Sequence, residues 1–545
     1  MTCSPLSPYP ARRGALALLA LSLCLGACPA PSVVQDSGSS EDGAGAAIDA
    51  ATDSGRADVP ATDVARDSAS APDRSTPLDA AVPDLAPGDL GQPDLIVASD
   101  GSMPDTSPDA AGPDASSADA AMPPRSRALQ WVRDNPMFIS GLTVVMAAPP
   151  ADFVHAYFDG FHATAVHLWQ TGLPDEQAGW AAAGRSDLRW LSWLNQAGNS
   201  SANGQLLGGL TTPPAGRIGY QLWDEPGDYA EFLSMRAGFD AVRGADPGAL
   251  IVMNHMSGAD EVERMCDEYL GNWGGDILSY DAYTRSNSAY GKLALFRERA
   301  LAHGAPYWRY LKSYYAADGD DPLDASDLRW DAFSGAVYGY TGHTWFLYQI
   351  EPTNPDLVPA FFSIKGDFSS ATTAEWANAA QLNTELAHLG RALVLLTSTD
   401  VRYQSTWAVT QPAGTSAWSA GAGQDPFLSA LEPAPGNSFL ELLVGFFVDD
   451  AGETYAMVQN VRHAHGDWPI DSNNPGTARL EFDFSSAPVT VDRSTLLQLE
   501  QATGNVVEKS LTPIDGNHSR LDVRLAAGDV FFFKYKTGQP FVLQP

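Results

Sequence analysis

Five runs between residues 218 and 280 decide the fold: IGYQLW (218–223), AEFLSMRAGFDAVR (230–243), LIVMN (250–254), EVERMCDEYL (261–270) and ILSY (277–280). The first, third and fifth are short, apolar and of strand length. The two between them carry apolar residues at helical spacing. Strand, helix, strand, helix, strand is the signature of parallel strands joined by crossover helices. The alternation continues on both sides. Further strand-like runs are Phe138–Met146, Ala163–Trp169, Leu188–Leu194, Tyr307–Leu311 and Thr344–Ile350, and a last helical pattern spans Thr373–Leu396. Eight strands alternating with helices over about 270 residues predict a (β/α)8 TIM-type barrel, assigned to residues 125–400.

From about Val401 the pattern changes. Leu440–Val448 and Tyr455–Val461 flank Asp449-Asp450-Ala451-Gly452-Glu453, which reads as a hairpin turn. Strands are also expected at Ala478–Phe484, Thr495–Gln501, Arg520–Leu525 and Val530–Tyr535. Residues 401–545 are therefore assigned to an all-β sandwich domain.

The 545-residue chain carries 66 acidic and 32 basic side chains, a formal charge of −34. That balance argues against a nucleic-acid partner, since phosphate recognition requires a Lys/Arg surplus. Residues 29–124 hold 18 of the acids against 3 arginines, with no Trp, Tyr or Phe. Ala, Asp, Pro, Ser and Gly dominate, and Pro-Asp recurs at 93, 104, 108 and 113. Such a stretch cannot bury enough surface to offset its ordering entropy, so it is expected to be a disordered, extended tether. Before it, Arg12-Arg13 precede an apolar run, Ala15–Leu25, too short to span a bilayer. The run ends Leu25-Gly26-Ala27-Cys28, which resembles a bacterial lipoprotein signal occupying residues 1–28. The resemblance implies a mature chain lipidated at Cys28 and held to the cell envelope, at the outer membrane or cell surface. With Cys3 and Cys24 removed and Cys28 lipidated, Cys266 stands alone and no intramolecular disulfide is expected.

In a barrel of this kind function sits at the C-terminal strand ends. Those ends read Trp169-Gln170, Trp223-Asp224-Glu225-Pro226, Met253-Asn254-His255, Tyr280-Asp281-Ala282-Tyr283, Tyr310 to Lys312, and Gln349-Ile350-Glu351-Pro352. Carboxylates and aromatics predominate. Glycosidic cleavage needs that mixture, an acid for the leaving oxygen, a group to stabilise the oxocarbenium-like centre, and aromatic faces for sugar rings. By itself Asp224-Glu225-Pro226 also reads as a helix start, with Asp as N-cap and Pro in the first turn.

Trp-Asp-Glu-Pro after a fourth barrel strand resembles the retaining (β/α)8 glycoside hydrolases around family 42, as does the tract from Gln381 to Leu393 followed by a β domain. The resemblance implies that Glu225 is the general acid/base. Two positions depart from it. The residue before the Glu is Asp224 where those enzymes carry Asn, and the seventh strand ends near Lys312 and Ser313 where they carry a nucleophilic Glu. Glu351 ends the next run. Either one strand is counted too many and Glu351 is the nucleophile, or the mechanism differs. The Asp224-Glu225 pair also resembles the substrate-assisted hexosaminidases of families 20 and 123, in which the Asp orients a 2-acetamido group that itself attacks.

The expected catalytic residues are therefore Glu225, Asp224 and Glu351. The expected substrate-binding residues are Trp169, Trp223, Asp281, Tyr283, His255 and Tyr310. A carbohydrate is the expected substrate, and no cofactor or metal is implied. His463-Ala464-His465 offers two imidazoles without an evident third ligand. The alternative is a non-catalytic glycan-binding or structural surface lipoprotein on the same barrel.

Overall fold

The computed structural model describes residues 125–144, 154–169, 189–194, 216–316, 323–349, 357–363, 370–405, 411–436, 440–465 and 475–545. The expectations for residues 1–124, including the signal, Cys28 and the tether, lie outside these.

Eight parallel strands close into a barrel in sequence order. They are β1 (Phe138–Val144), β2 (Val166–Trp169), β3 (Trp190–Trp193), β4 (Arg217–Asp224), β5 (Leu250–Met256), β6 (Ile277–Asp281), β7 (Tyr307–Lys312) and β8 (Gly342–Phe346). All eight strand runs read from the sequence are present, with ends moved by a few residues. β1 pairs β8 through Ser140↔Thr344 and Gly141↔Trp345, which closes the ring. The count therefore holds, β7 does end at Lys312, and Glu351 follows β8.

Around the barrel run α1 (Arg127–Asp134), α2 (Tyr229–Ser234), α3 (Arg236–Ala245), α4 (Val262–Asp267), α5 (Ala289–Ala302), α6 (Ala325–Tyr338) and α7 (Ala374–Leu393). The single helix expected over Ala230–Arg243 is two, separated at Met235. The helix expected over Glu261–Leu270 is α4 followed by a wider turn, Glu268–Asn272. α7 docks through Trp345, whose indole N–H donates to Asn383 Oδ1 at 2.9 Å, while Asn383 Nδ2 donates to the Phe161 carbonyl at 2.8 Å.

Alternation along each strand sorts the barrel interior into levels. At the bottom the Phe138 and Trp308 rings stack with centroids 4.3 Å apart. Gly342 is needed there, because a Cβ would meet Trp308 at 2.6 Å. The middle level is polar. Ser140 and Thr344 hydroxyls are 2.9 Å apart, and His167 Nδ1 lies 3.3 Å from Thr344 Oγ1. The barrel is thus a filled core with polar side chains rising toward its mouth.

The following strands are β9 (Thr397–Ser405), β10 (Leu428–Pro433), β11 (Glu441–Val448), β12 (Thr454–Asn460), β13 (Gly476–Asp483), β14 (Thr495–Leu499), β15 (Val506–Ser510), β16 (His518–Leu525) and β17 (Val530–Tyr535). With the two-residue strand Ser416–Ala417 at one edge, β9, β11, β12, β17, β14 and β15 form one antiparallel sheet apart from the parallel pairing of that edge strand. β10, β13, β16 and Thr512–Pro513 form the second. The expected hairpin at 449–453 is present, joining β11 to β12.

β11 explains its own composition. Leu442, Val444 and Phe446 pack toward the smaller sheet, while Leu443 and Phe447 join the core shared with the barrel. A strand buried on both faces reads as continuous apolar sequence. The barrel element it covers is α6, which is buried along almost its whole length. Gln459 of β12 fastens the layers. Its amide donates to the carbonyls of Trp330 and Gly528 at 3.3 and 3.1 Å, and its Oε1 accepts from Ser334 at 3.0 Å. His463 and His465 are used here as well, their Nδ1 atoms 2.8 and 2.6 Å from the two oxygens of Asp327 in the first turn of α6. Burial works to raise the Asp327 pKa, but contacts from His463, the Asp324 backbone and His465 outweigh it and hold the carboxyl at about 2.

Gly445 marks the closest approach, since a Cβ there would stand 2.0 Å from the Val337 carbonyl oxygen. Gly445→Ala is expected to force β11 off α6 and to lower stability by about 1–3 kcal/mol, the usual cost of overpacking. Urea denaturation of the purified protein measures it, and an unchanged midpoint would contradict this account of the interface.

Candidate active site

β4 carries an irregularity that sets the site. Its register on β5 runs Gln221↔Val252, then Trp223↔Met253 and Asp224↔Asn254, so one residue is inserted between Gln221 and Trp223. Simple alternation from inward-facing Gln221 would turn Asp224 outward. The bulge brings it inward instead. Asp224 Oδ1 accepts from Asn254 Nδ2 at 2.9 Å and from Gln221 Nε2 at 3.3 Å. Gln221 Oε1 accepts from the Tyr310 hydroxyl at 2.6 Å, and Asn254 Oδ1 accepts from Ser279 Oγ at 3.1 Å. One hydrogen-bonded chain thus links β7, β4, β5 and β6 beneath the mouth.

Glu225 follows with φ of 52°, a left-handed conformation in which its N–H donates to the Asn254 carbonyl at 3.0 Å. Such a backbone at a non-glycine residue is uncommon and concentrates at functional positions. Asp224-Glu225-Pro226 does not open the helix. The cap of α2 is Asp228, whose carboxylate accepts the Glu231 N–H at 2.8 Å.

Asp281, the last residue of β6, completes the cluster. Its carboxyl lies within reach of Glu225, Asp224 and the Tyr283 hydroxyl. Asp224, Glu225, Asp281 and Tyr283 are all partly exposed, so the cluster opens to solvent. The Tyr283 ring stacks on Phe346 at 5.7 Å and meets Tyr314 edge-on at 5.5 Å. Lys312, 8% exposed at the end of β7, holds its ammonium 5.0 Å from the centre of the Tyr314 ring. The Phe346–Leu347 peptide at the end of β8 is cis.

Two carboxyls here hold their protons unusually well. Burial, and then the Glu225 charge, push Asp224 up to about 7 against the pull of the Asn254 hydrogen bond. Asp281 is raised well above the carboxylate range, first by burial, then by Glu225 and Asp224. Burial and the surrounding acids also raise the Tyr283 and Tyr310 hydroxyls. The site is therefore stocked with proton donors near neutral pH.

The expected residues divide as follows. Asp224, Glu225, Asp281 and Tyr283 come together at the mouth. Tyr310 is 3% exposed and lies below them, acting on Gln221. His255 does not join them. It is fully buried in the helix layer among Phe232, Tyr269 and Phe296, about 6.1 Å from each ring centre, and burial lowers its pKa to about 3. The physical reason is alternation, because Asn254 takes the inward position on β5 and His255 the outward one. Trp169 ends β2 and Trp223 is next to last in β4, but their side chains lie outside the described residues, as does Glu351 altogether. Gln221, Asn254 and Ser279 were not selected from the sequence, although counting in twos along β5 would have favoured Asn254 over His255. Among the described residues no group of three or more His, Cys, Asp or Glu has the arrangement to hold a metal ion.

No family model matches the chain, and no curated protein matches it in sequence. Solved structures align with it at low similarity. The glycoside hydrolase family 30 subfamily 8 xylanase Xyn30A from Clostridium acetobutylicum gives a TM-score of 0.38 at 9% identity, over 74% of this chain and 96% of that one. A family 30 endoxylanase from Clostridium papyrosolvens C71 gives 0.36 at 10%, over 73% and 96%. The β-galactosidase from the psychrophilic Marinomonas ef1 gives 0.37 at 9%, over 49% and 63%. A barrel hosts many chemistries, so function has to be argued from the mouth.

The raised Asp224 pKa has a stability consequence. Its folded value of about 7 exceeds the ordinary 3.8, so the native state binds the extra proton between those values. This contribution is complete below pH 4 and is lost as pH rises through about 7. Asp224→Asn should flatten that part of the stability–pH curve, measured by thermal melts from pH 4 to 8. An unaltered slope would count against a protonated Asp224.

Proposed function

We propose that the chain is a retaining glycoside hydrolase with Glu225 as its general acid/base. The observation that supports this most is the convergence of Asp224, Glu225 and Asp281 at the C-terminal mouth, where burial and neighbouring charge raise the Asp224 and Asp281 carboxyls. Breaking a glycosidic bond requires a proton on the leaving oxygen as the C–O bond lengthens, then removal of a proton from the incoming water. Glu225 performs both transfers, first as acid and then as base.

The substrate-assisted route is favoured for the other half of the reaction. β7 ends in Lys312, not in a carboxylate, and Asp224 is turned inward beside Glu225. Asp224 then accepts the N–H of a 2-acetamido group whose carbonyl oxygen attacks the anomeric carbon from the face opposite the leaving group. Water later opens the cyclic intermediate, and the net outcome is retention. Asn254 and Gln221 fix the Asp224 carboxylate so that its free edge meets the substrate. In the other route Glu351, after β8, would be the nucleophile. Tyr283 and Phe346 provide an aromatic wall for a sugar ring, with Trp169 and Trp223 as further proposed contacts. The reading also includes a lipid anchor at Cys28 and residues 29–124 as the spacer that presents the barrel outside the membrane.

The test is hydrolysis of aryl glycosides of 2-acetamido and 2-hydroxy sugars. Glu225→Gln should lower kcat by about 10²–10⁴-fold, the usual size of general acid catalysis. Asp224→Asn should impair 2-acetamido substrates selectively, and product NMR should report retained anomeric configuration. Glycan binding without turnover of any substrate would replace this reading with the non-catalytic one.

A further inference from the structure

The larger sheet changes character along one face at β9. Val401 and Tyr403 join the core shared with the barrel, so alternation puts Asp400 and Arg402 on the opposite face. Their partners on β11 are Phe446 and Val444, which lie in the core between the two sheets. At β9 the neighbour on this face is instead the glycine-rich segment 419–423. Between that segment and Thr399, Asp400 and Arg402 lies an open cleft of about 390 Å³, a size within the range of small-ligand sites. We propose that this cleft binds a neutral, hydroxyl-rich ligand, an oligosaccharide chain, on the β domain. None of the residues lining it belongs to the barrel mouth, and its occupancy does not depend on turnover there.

The cleft is built from fixed parts. The β9–β11 register shifts between Ser398 and Asp400, so Thr399 is an inserted residue and the bulge sets the faces taken by those that follow. Asp400 Oδ1 accepts the Val401 N–H at 2.9 Å. Its Oδ2 accepts the Gly423 N–H at 2.9 Å and the Arg402 Nε–H at 2.6 Å. The carboxylate is thus held by three donors and in turn holds the guanidinium. Gly423 has a φ of 62°, and a Cβ there would meet the Phe446 ring at 2.3 Å, so the segment lies directly on the sheet. Gly421, at a φ of 79°, has nothing within 4 Å of the position of a Cβ, which leaves that side open.

The chemistry selects the ligand class. Arg402 uses Nε on Asp400, and among the described residues its two terminal nitrogens have no hydrogen-bond partner, although the side chain is only 30% exposed. They supply a fork of donors beside a carboxylate acceptor, and the Ser419 hydroxyl can do either. Neighbouring sugar hydroxyls, each both donor and acceptor, match that mixture. An anion would meet Asp400 next to the fork and a chain of formal charge −34. An apolar ligand would find only alanines and glycines besides the polar groups.

Isothermal titration calorimetry of the full chain carrying Glu225→Gln tests the site in the absence of turnover. The probes are xylotetraose, cellotetraose and N-acetylchitotetraose, with tetragalacturonate as the anionic comparison. At least one neutral probe should show a binding component that Arg402→Met weakens about tenfold or more, the usual loss for hydrogen bonds from a charged group. Ala420→Glu, at an exposed position, should weaken it likewise by filling the cleft and occupying Arg402, which covers the case in which Arg402→Met does not fold. Absence of binding by every neutral probe, binding that neither variant changes, or a preference for tetragalacturonate would overturn the proposal. Binding sensitive to Ala420→Glu, in a protein whose wild type hydrolyses no aryl glycoside, would support this site and remove the glycosidase reading instead.

Discussion

The pairing of β1 with β8 is the constraint on which the mouth depends. Only a closed ring gives every strand one inward face, and only then do the C-terminal ends of β4, β5, β6 and β7 look at one another across a few ångströms. Closure needs the stacked Phe138 and Trp308 at the bottom, and Gly342 beside them has no room for a side chain. Above that floor the interior turns polar, so its hydroxyls, amides and carboxyls must satisfy one another. The chain Tyr310–Gln221–Asp224–Asn254–Ser279 is the result.

Support from outside is equally specific. α6 is buried along almost its whole length, and its polar Asp327, Asp331 and Ser334 are all bonded. The barrel covers one side and the larger sheet the other, with Gln459 bonding to α6 and Gly445 allowing the close approach. The buried Arg309–Asp331 ion pair joins α6 to β7, the strand that carries Tyr310 and Lys312 to the mouth. The sheets thus contribute to the site by fixing a helix behind it.

At the mouth the decisive physics is burial of carboxyls, reinforced by repulsion among like charges. Burial and then the Glu225 charge raise Asp224, and burial with both neighbours raises Asp281. A site with an acid ready to give a proton and a base ready to receive one is built by such crowding. The aromatic wall of Tyr283, Tyr314 and Phe346 deepens the effect by keeping water from one side.

Sequence alone determined the eight-strand alternation, the change to β structure after the barrel, and the segment Asp224-Glu225, because the period of hydrophobic residues and the order of strands are local properties of the chain. It also placed Asp281 and Tyr283 at a strand end. Tertiary structure decided which of those residues meet. The bulge in β4 turns Asp224 inward, the pleat of β5 selects Asn254 and sends His255 into the helix layer, and ring closure carries Asp281 to Glu225. The bulge and the ring closure are not encoded in spacing along one strand. Register, insertion and closure arise between strands, and a residue's neighbours across a barrel are set by the ring as a whole.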